Sequence, residues 1–375
     1  MSTPRFALRD KAARPFRVLL LCLLALAPQL ASAAARGPEL TEETIREIEA
    51  VVTQEMSLER IPGLTVAVAA GGALRWTGGY GFADIENHVP ATARTMLRLA
   101  SISKPVTAVA VMQLAAEGKL DLDEPVQTCV PAFPKKRWPV TARQLLGHLG
   151  GVRHYNAPDE INSTRHYTNA QDPLLLFAAD PLVAEPGTKY HYTTYGYVLL
   201  GAMVERVAGK PLMDHFRERI FEPAGISAIR DDSVHAIIPR RARGYRYSKA
   251  GELENCALAD TSNKIPGGGL IGTAESLVRF ALAVRDGVLV DRLTVDAMWT
   301  PQRLNSGAPT EYGLGWRIGA LDGGKRWVGH SGGQQGVSTM LMMAPEDGAA
   351  VAVMCNLETG APRRIAERIL LLLIR

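Results

Sequence analysis

The stretch TEETIREIEAVVTQEM, residues 41–56, spaces its apolar positions three and four apart behind a threonine, which predicts a capped amphipathic helix. GLTVAVAAGGALRWTGGYGFAD, residues 63–84, follows as two β-rich runs around Gly-Gly and predicts a hairpin. Near the other end YGLGWRIG, RWVGHSGG, VSTMLMMAPEDG and AAVAVMCNL are short strand candidates divided by glycine-rich turns. APRRIAERILLLLIR then closes the chain as a helix with Pro362 near its first turn. Between about 120 and 265 the texture shifts to proline-rich loops and helical stretches such as TARQLLGHL, PLLLFAAD and YGYVLLGAMVERVAG. Strands at both ends with helices between them predict an α+β fold. Its central antiparallel sheet is drawn from about 36–119 and 266–375 and flanked by helices, and a mostly helical region, about 120–265, is inserted.

The first 33 residues have a different pattern. Arg5, Arg9, Lys11, Arg14 and Arg17 precede the apolar VLLLCLLALA and then the small residues ASA, the order of a secretory signal cleaved near Ala33 or Ala35. The apolar run is about half of the roughly 20 residues a spanning helix needs, and the terminal LLLLI is shorter still. The expectation is a periplasmic or secreted domain over 36–375 with no membrane span left after cleavage.

Composition then narrows the partners. The whole chain carries a net +4, but the signal holds five bases and one acid, Asp10, so the remainder is neutral. No basic patch remains to argue for nucleic acid. Cys129, Cys256 and Cys355 survive cleavage. Cys355, within AAVAVMCNL, reads as a small buried apolar residue, whereas a Cys129–Cys256 bridge and two free thiols both fit the sequence.

Chemistry enters at LRLASISKPVTAVAVMQLAAEGKL, residues 97–120. Ser101 and Lys104 stand three apart, so on a helix they share a face. Pro105 is tolerated only near a helix start, which puts Ser101 where free amides and the positive end of the helix dipole favour an oxyanion. An ordinary lysine, with a pKa near 10.4, needs about 4.6 kcal/mol to be neutral at pH 7, and burial or a second cation can supply that shift. Alone the spacing is weak, because a chain of this length holds on the order of one Ser-x-x-Lys by chance.

Further motifs in a fixed order give the spacing its weight. GGYGFADIENHVPATARTMLRLASISKP, LLGHLGGVRHY, PGTKYHYTTYGYVLLGAMVERVAG, IPGGGLIGTAESLVRF, YGLGW and GHSGGQQGVSTMLMMAPEDG together resemble the serine β-lactamase-like and penicillin-binding-protein-like hydrolases. These include class C β-lactamases, D-alanyl-D-alanine carboxypeptidases and their esterase relatives, and the likeness spans roughly 45–360. The LASISK, HLxGxRHY and Tyr-x-Thr character is most similar to mitochondrial serine β-lactamase-like peptidases, without their location carrying over. The resemblance implies a β-lactamase/transpeptidase-like fold and a serine hydrolase that needs no cofactor. It implies Ser101 as nucleophile, Lys104 as the partner for its proton and Tyr192 as proton carrier to the leaving group. It places HSG, with His330, Ser331 and Gly332, on the strand beside the site, and the amides of Ser101 and Gly333 in the oxyanion hole. Tyrosine near a lysine cation is expected to ionise more easily. His148 and His154 lack a zinc-ligand pattern, so no metal is expected.

Two positions depart from the β-lactamase pattern. Thr194 stands where an asparagine would bind a substrate amide, and His330 where a lysine would attract a carboxylate. Peptide, amide or ester substrates, cell-wall peptides among them, are therefore expected over efficient β-lactam hydrolysis. If the His330 imidazolium holds an acidic substrate, KM should worsen as pH rises through about 6 to 7. The competing expectation is a binding or scaffold protein on the same fold with its catalysis decayed.

Overall fold

The computed structural model describes residues 39–375, so the expected signal segment lies outside the described residues. Helix α1, Glu42–Glu59, starts where the Thr41 hydroxyl accepts the amide of Thr44 and ends at Arg60 in the left-handed region (φ 53°). The hairpin follows as β1, Gly63–Ala70, and β2, Ala73–Asp84, with a two-residue edge strand β3, Val89–Pro90. From the C-terminal part come β4, Arg317–Ala320, β5, Arg326–Gln334, β6, Val337–Ala344, and β7, Ala349–Cys355. The order across the seven-stranded sheet is β3-β2-β1-β7-β6-β5-β4, and every pairing is antiparallel.

The two ends of the chain meet in the centre of this sheet, where Leu64 faces Cys355 and Ala69 faces Ala350 across β1 and β7. Side chains alternate between two cores. Leu64, Val66, Val68, Val351 and Val353 pack with Ile48, Val52, Ile365 and Ile369 on one face. Ala67, Ala69, Ala350, Ala352 and Met354 join the larger core on the other. Because both faces are covered, the central strands read as near-continuous apolar runs. The helix Pro362–Leu373 packs on β6 and β7 and against α1, and Arg364 and Arg368 reach the buried Glu55.

Helix α2, Ser103–Ala116, is buried from Ser103 through Leu114, as a run apolar on nearly every side requires. It packs against α3, Thr194–Ala208, in the larger core. Two sequence expectations shorten. PLLLFAAD forms a single 3₁₀ turn, Asp172–Leu176, because Phe177 leaves helical geometry (φ −145°) and stacks on Tyr195 at 4.5 Å. YGLGW is a turn preceding β4: Gly315, at φ 91°, lies so close to α2 that a Cβ there would come within 2.2 Å of Ala108 Cβ. Cys129, Cys256 and Cys355 are all free thiols, and Cys355 is buried as expected.

Candidate active site

The backbone entering α2 is strained one residue before Ser101. Ala100 sits at φ 49°, a region that costs a residue with a side chain about 1–3 kcal/mol. Three contacts hold it there: Ser103 Oγ donates to the Ala100 carbonyl (2.8 Å), Thr339 Oγ1 donates to the Leu99 carbonyl (3.1 Å), and the Leu99 amide donates to the Leu270 carbonyl (2.8 Å). A 3₁₀ turn, Ala100–Ile102, then runs into α2 and sets Ser101 at the helix start, on the wall of a cleft. Gly332 makes this approach possible, since a Cβ there would lie 2.3 Å from Thr339 Oγ1 and 2.6 Å from the Leu99 carbonyl oxygen.

Lys104 is fully buried. Its Nζ lies 3.0 Å from Ser101 Oγ, 2.7 Å from the Gly267 carbonyl oxygen and 3.3 Å from Thr194 Oγ1, and among the described residues no carboxylate pairs with it. Burial first, then the charges of Lys264 and Arg317, hold its pKa well below the ordinary lysine value. The neutral amine is thereby favoured, and its lone pair can accept the Ser101 hydroxyl proton.

Tyr192 lines the cleft with Ser101, and its ring lies 4.9 Å from Lys104 Nζ. Here the expectation of an easily ionised tyrosine is corrected. Burial outweighs the nearby Ser101 hydroxyl and the charge of Arg317, and raises the phenol pKa. A lysine that tends to be neutral gives little help to a phenolate, so Tyr192 stands as a neutral donor and relay.

His330 also requires correction. It is fully buried, its Nδ1–H donates to the Ser331 carbonyl (2.6 Å), and its Nε2 accepts from the Tyr312 hydroxyl (2.7 Å). Burial, Lys104 and Arg317 keep its pKa well below the ordinary histidine value. A neutral ring with both nitrogens engaged cannot anchor a carboxylate, so the proposed loss of affinity between pH 6 and 7 has no source in this residue. Its neighbours face the cleft differently: Ser331 and Gly332 are half-buried on β5, and Gly333 lines the cleft with open space where a Cβ would be.

The turn before α3 is held by two histidines. His148 Nδ1 accepts the Thr193 amide (3.2 Å) and His154 Nδ1 accepts the Thr194 amide (3.1 Å), both with pKa values pushed down, chiefly by burial. Thr193 caps the helix by accepting the Gly196 amide, and its hydroxyl donates to the Arg153 carbonyl at 2.6 Å. LLGHLGGVRHY thus fixes YTT against the site, a role its sequence did not display.

The cleft, about 120 Å³, brings together Ser101, Tyr192, Thr194 and Gly333 with Lys264, Gly267 and Gln334. The volume equals a few water molecules, enough for one small substrate group. A wider groove of about 410 Å³ adjoins it through Ile161 and Gln334. Lys264 and Arg317 were missed in the sequence, because Lys264 belongs to no motif and Arg317 lies within a strand candidate, and only the fold turns Lys264 inward and lays Arg317 beside the Tyr192 ring (5.8 Å).

Comparison with known proteins shows the family and the fold. Residues 48–375 match the protein family described as Beta-lactamase. The serine beta-lactamase-like protein LACTB, mitochondrial, of Mus musculus is 28% identical over 90% of this chain and 81% of its own. Penicillin-binding protein 4* of Bacillus subtilis is 30% identical over 74% of this chain and 64% of its own. The solved D-amino acid amidase of Ochrobactrum anthropi superposes with a TM-score of 0.76 at 25% identity, over 88% of this chain and 98% of that one.

Proposed function

The chain belongs to the β-lactamase family, and from that premise we propose that it hydrolyses a peptide, amide or ester through an acyl-enzyme on Ser101. The observation that carries the reading is Lys104 Nζ, uncharged by preference, 3.0 Å from a serine hydroxyl at a helix start. In the proposed cycle Lys104 takes the Ser101 proton as Oγ attacks the substrate carbonyl. The amides of Ser101 and Gly333 receive the developing oxyanion. Tyr192 passes a proton to the leaving nitrogen or oxygen and regains one from the Lys104 ammonium, and the acyl-enzyme forms as that bond breaks. Water then gives a proton to Lys104 as it attacks the ester, and Lys104 returns that proton to Ser101 Oγ as the ester bond breaks and the acid leaves.

The substrate preference follows from what the cleft lacks and offers. Thr194 Oγ1 is engaged with Lys104, so no side-chain amide is presented at that position. That favours peptide, amide or ester substrates over efficient β-lactam turnover, and the amidase and penicillin-binding-protein relatives support the choice. Export of the domain, carried by the N-terminal pattern, belongs to the same proposal.

A fluorophosphonate probe should add once to the folded wild-type protein and not to Ser101→Ala, as read by intact mass. A folded wild-type protein that takes no adduct would favour the decayed scaffold.

A further inference from the structure

Lys264 is a second buried lysine in the cleft, and it has no counter-ion. It is 2% exposed, and its Nζ donates to the Ile161 carbonyl at 3.0 Å, leaving further donors unused. Among the described residues no carboxylate forms an ion pair with it, and none lines the cleft. Lys104 differs in having three oxygens within hydrogen-bond reach of its nitrogen. Gln334 lines the same cleft, and its Nε2 is a buried donor with no partner among the described residues. A buried ammonium and a buried amide N–H are each costly to leave unpaired. Together they match the two oxygens of a carboxylate.

We propose that Lys264, with Gln334 beside it, is the specificity-determining anchor for a substrate carboxylate held next to the scissile bond. This rests on the hydrolase reading and names the substrate class of that same cleft. It also shifts the anion anchor from His330, which is neutral and occupied, to Gln334 at the end of the same strand and to Lys264 in the turn before Gly267. The groups facing Lys264 are Arg98, Lys104, His154 and Tyr155. Burial and the Arg98 charge bring its own pKa down to about 7. A bound carboxylate favours the ammonium form, so the anchor should be strong below pH 7 and weaken above it.

The test uses the full chain with Ser101→Ala, so that affinity is measured without turnover. Calorimetry compares two matched pairs of acyl peptides: a free C-terminal carboxylate against its carboxamide, and a glutaryl against a glutaramyl acyl group. The pairs separate a carboxylate on the leaving group from one on the acyl side. One acid should bind at least about tenfold more tightly than its amide at pH 6, about 1.4 kcal/mol. That preference should shrink toward pH 8.5 and disappear on adding Lys264→Met. Lys104 titrates in the same cleft, so the comparison with Lys264→Met isolates Lys264. If Lys264→Met fails to fold, Lys264→Gln and the pH series on the parent decide. Equal affinity within both pairs, or a preference that survives loss of Lys264, would overturn the proposal. Fluorophosphonate labelling of the wild-type chain separately reports whether the hydrolase reading holds.

Discussion

At Lys104 the buried nitrogen meets three neutral oxygens and, among the described residues, no paired carboxylate, which makes a base of a residue that is ordinarily an acid. The Ser-x-x-Lys spacing and Pro105 made the pair legible in the sequence, but the sources of the shift were not. Lys264 and Arg317 lie 160 and 213 positions away, and only folding brings their charges to bear. Folding likewise decides the state of Tyr192, whose phenol burial holds neutral where a place beside the lysine cation suggested easier ionisation. A neutral relay matters most when the departing group is a poor one. Tyr192→Phe is therefore expected to lower kcat/KM for an amide by about 10²–10⁴, the range for general acid–base catalysis, and for a p-nitrophenyl ester by much less. Paired kinetics on the two substrates check this, and an equal loss on both would remove the relay.

The elements around the site work by close approach. The strained Ala100 turn is clamped by Thr339, a residue 240 positions distant, and by the bare face of Gly332. Sequence patterning recovered α1, the hairpin, β5 to β7 and the terminal helix, because each has a clear period or punctuation. It could not show the clamp, which is a contact between elements, nor the roles of His148 and His154, whose partners are backbone amides with no sequence signature. Gly332→Ala puts a methyl 2.3 Å from Thr339 Oγ1 and 3.0 Å from Ala100 Cβ. It is expected to destabilise the protein by about 1–3 kcal/mol and to slow labelling of Ser101. Thermal melts and labelling rates measured together would show this, and a variant with unchanged melting and labelling would mean the turn tolerates the displacement.

On the scale of the whole molecule, the sheet closes by pairing β1 with β7, so that the first and last parts of the described chain share a core. That arrangement was readable because strands cluster at both ends of the sequence and helices in the middle. The charge balance adds a separate expectation. The basic residues before Ala33 account for the excess of the full chain, so an exported mature protein should be neutral overall. N-terminal mapping of the protein expressed in a bacterial host with a periplasm should find a start at 34 or 36 in the periplasmic fraction. An intact Met1 on cytoplasmic protein would contradict export.

The central claim is that Lys104 is the base that activates Ser101, and the pH dependence of acylation tests it most directly. The rate at which an activated ester acylates Ser101, followed by rapid quench and intact mass, should rise as Lys104 loses its proton. Because its pKa is lowered, that rise should be complete well below the ordinary lysine value of about 10.4, and Lys104→Met should slow acylation by about 10²–10⁴. A rate that climbs through pH 10, or one that Lys104→Met leaves unchanged, would contradict the account.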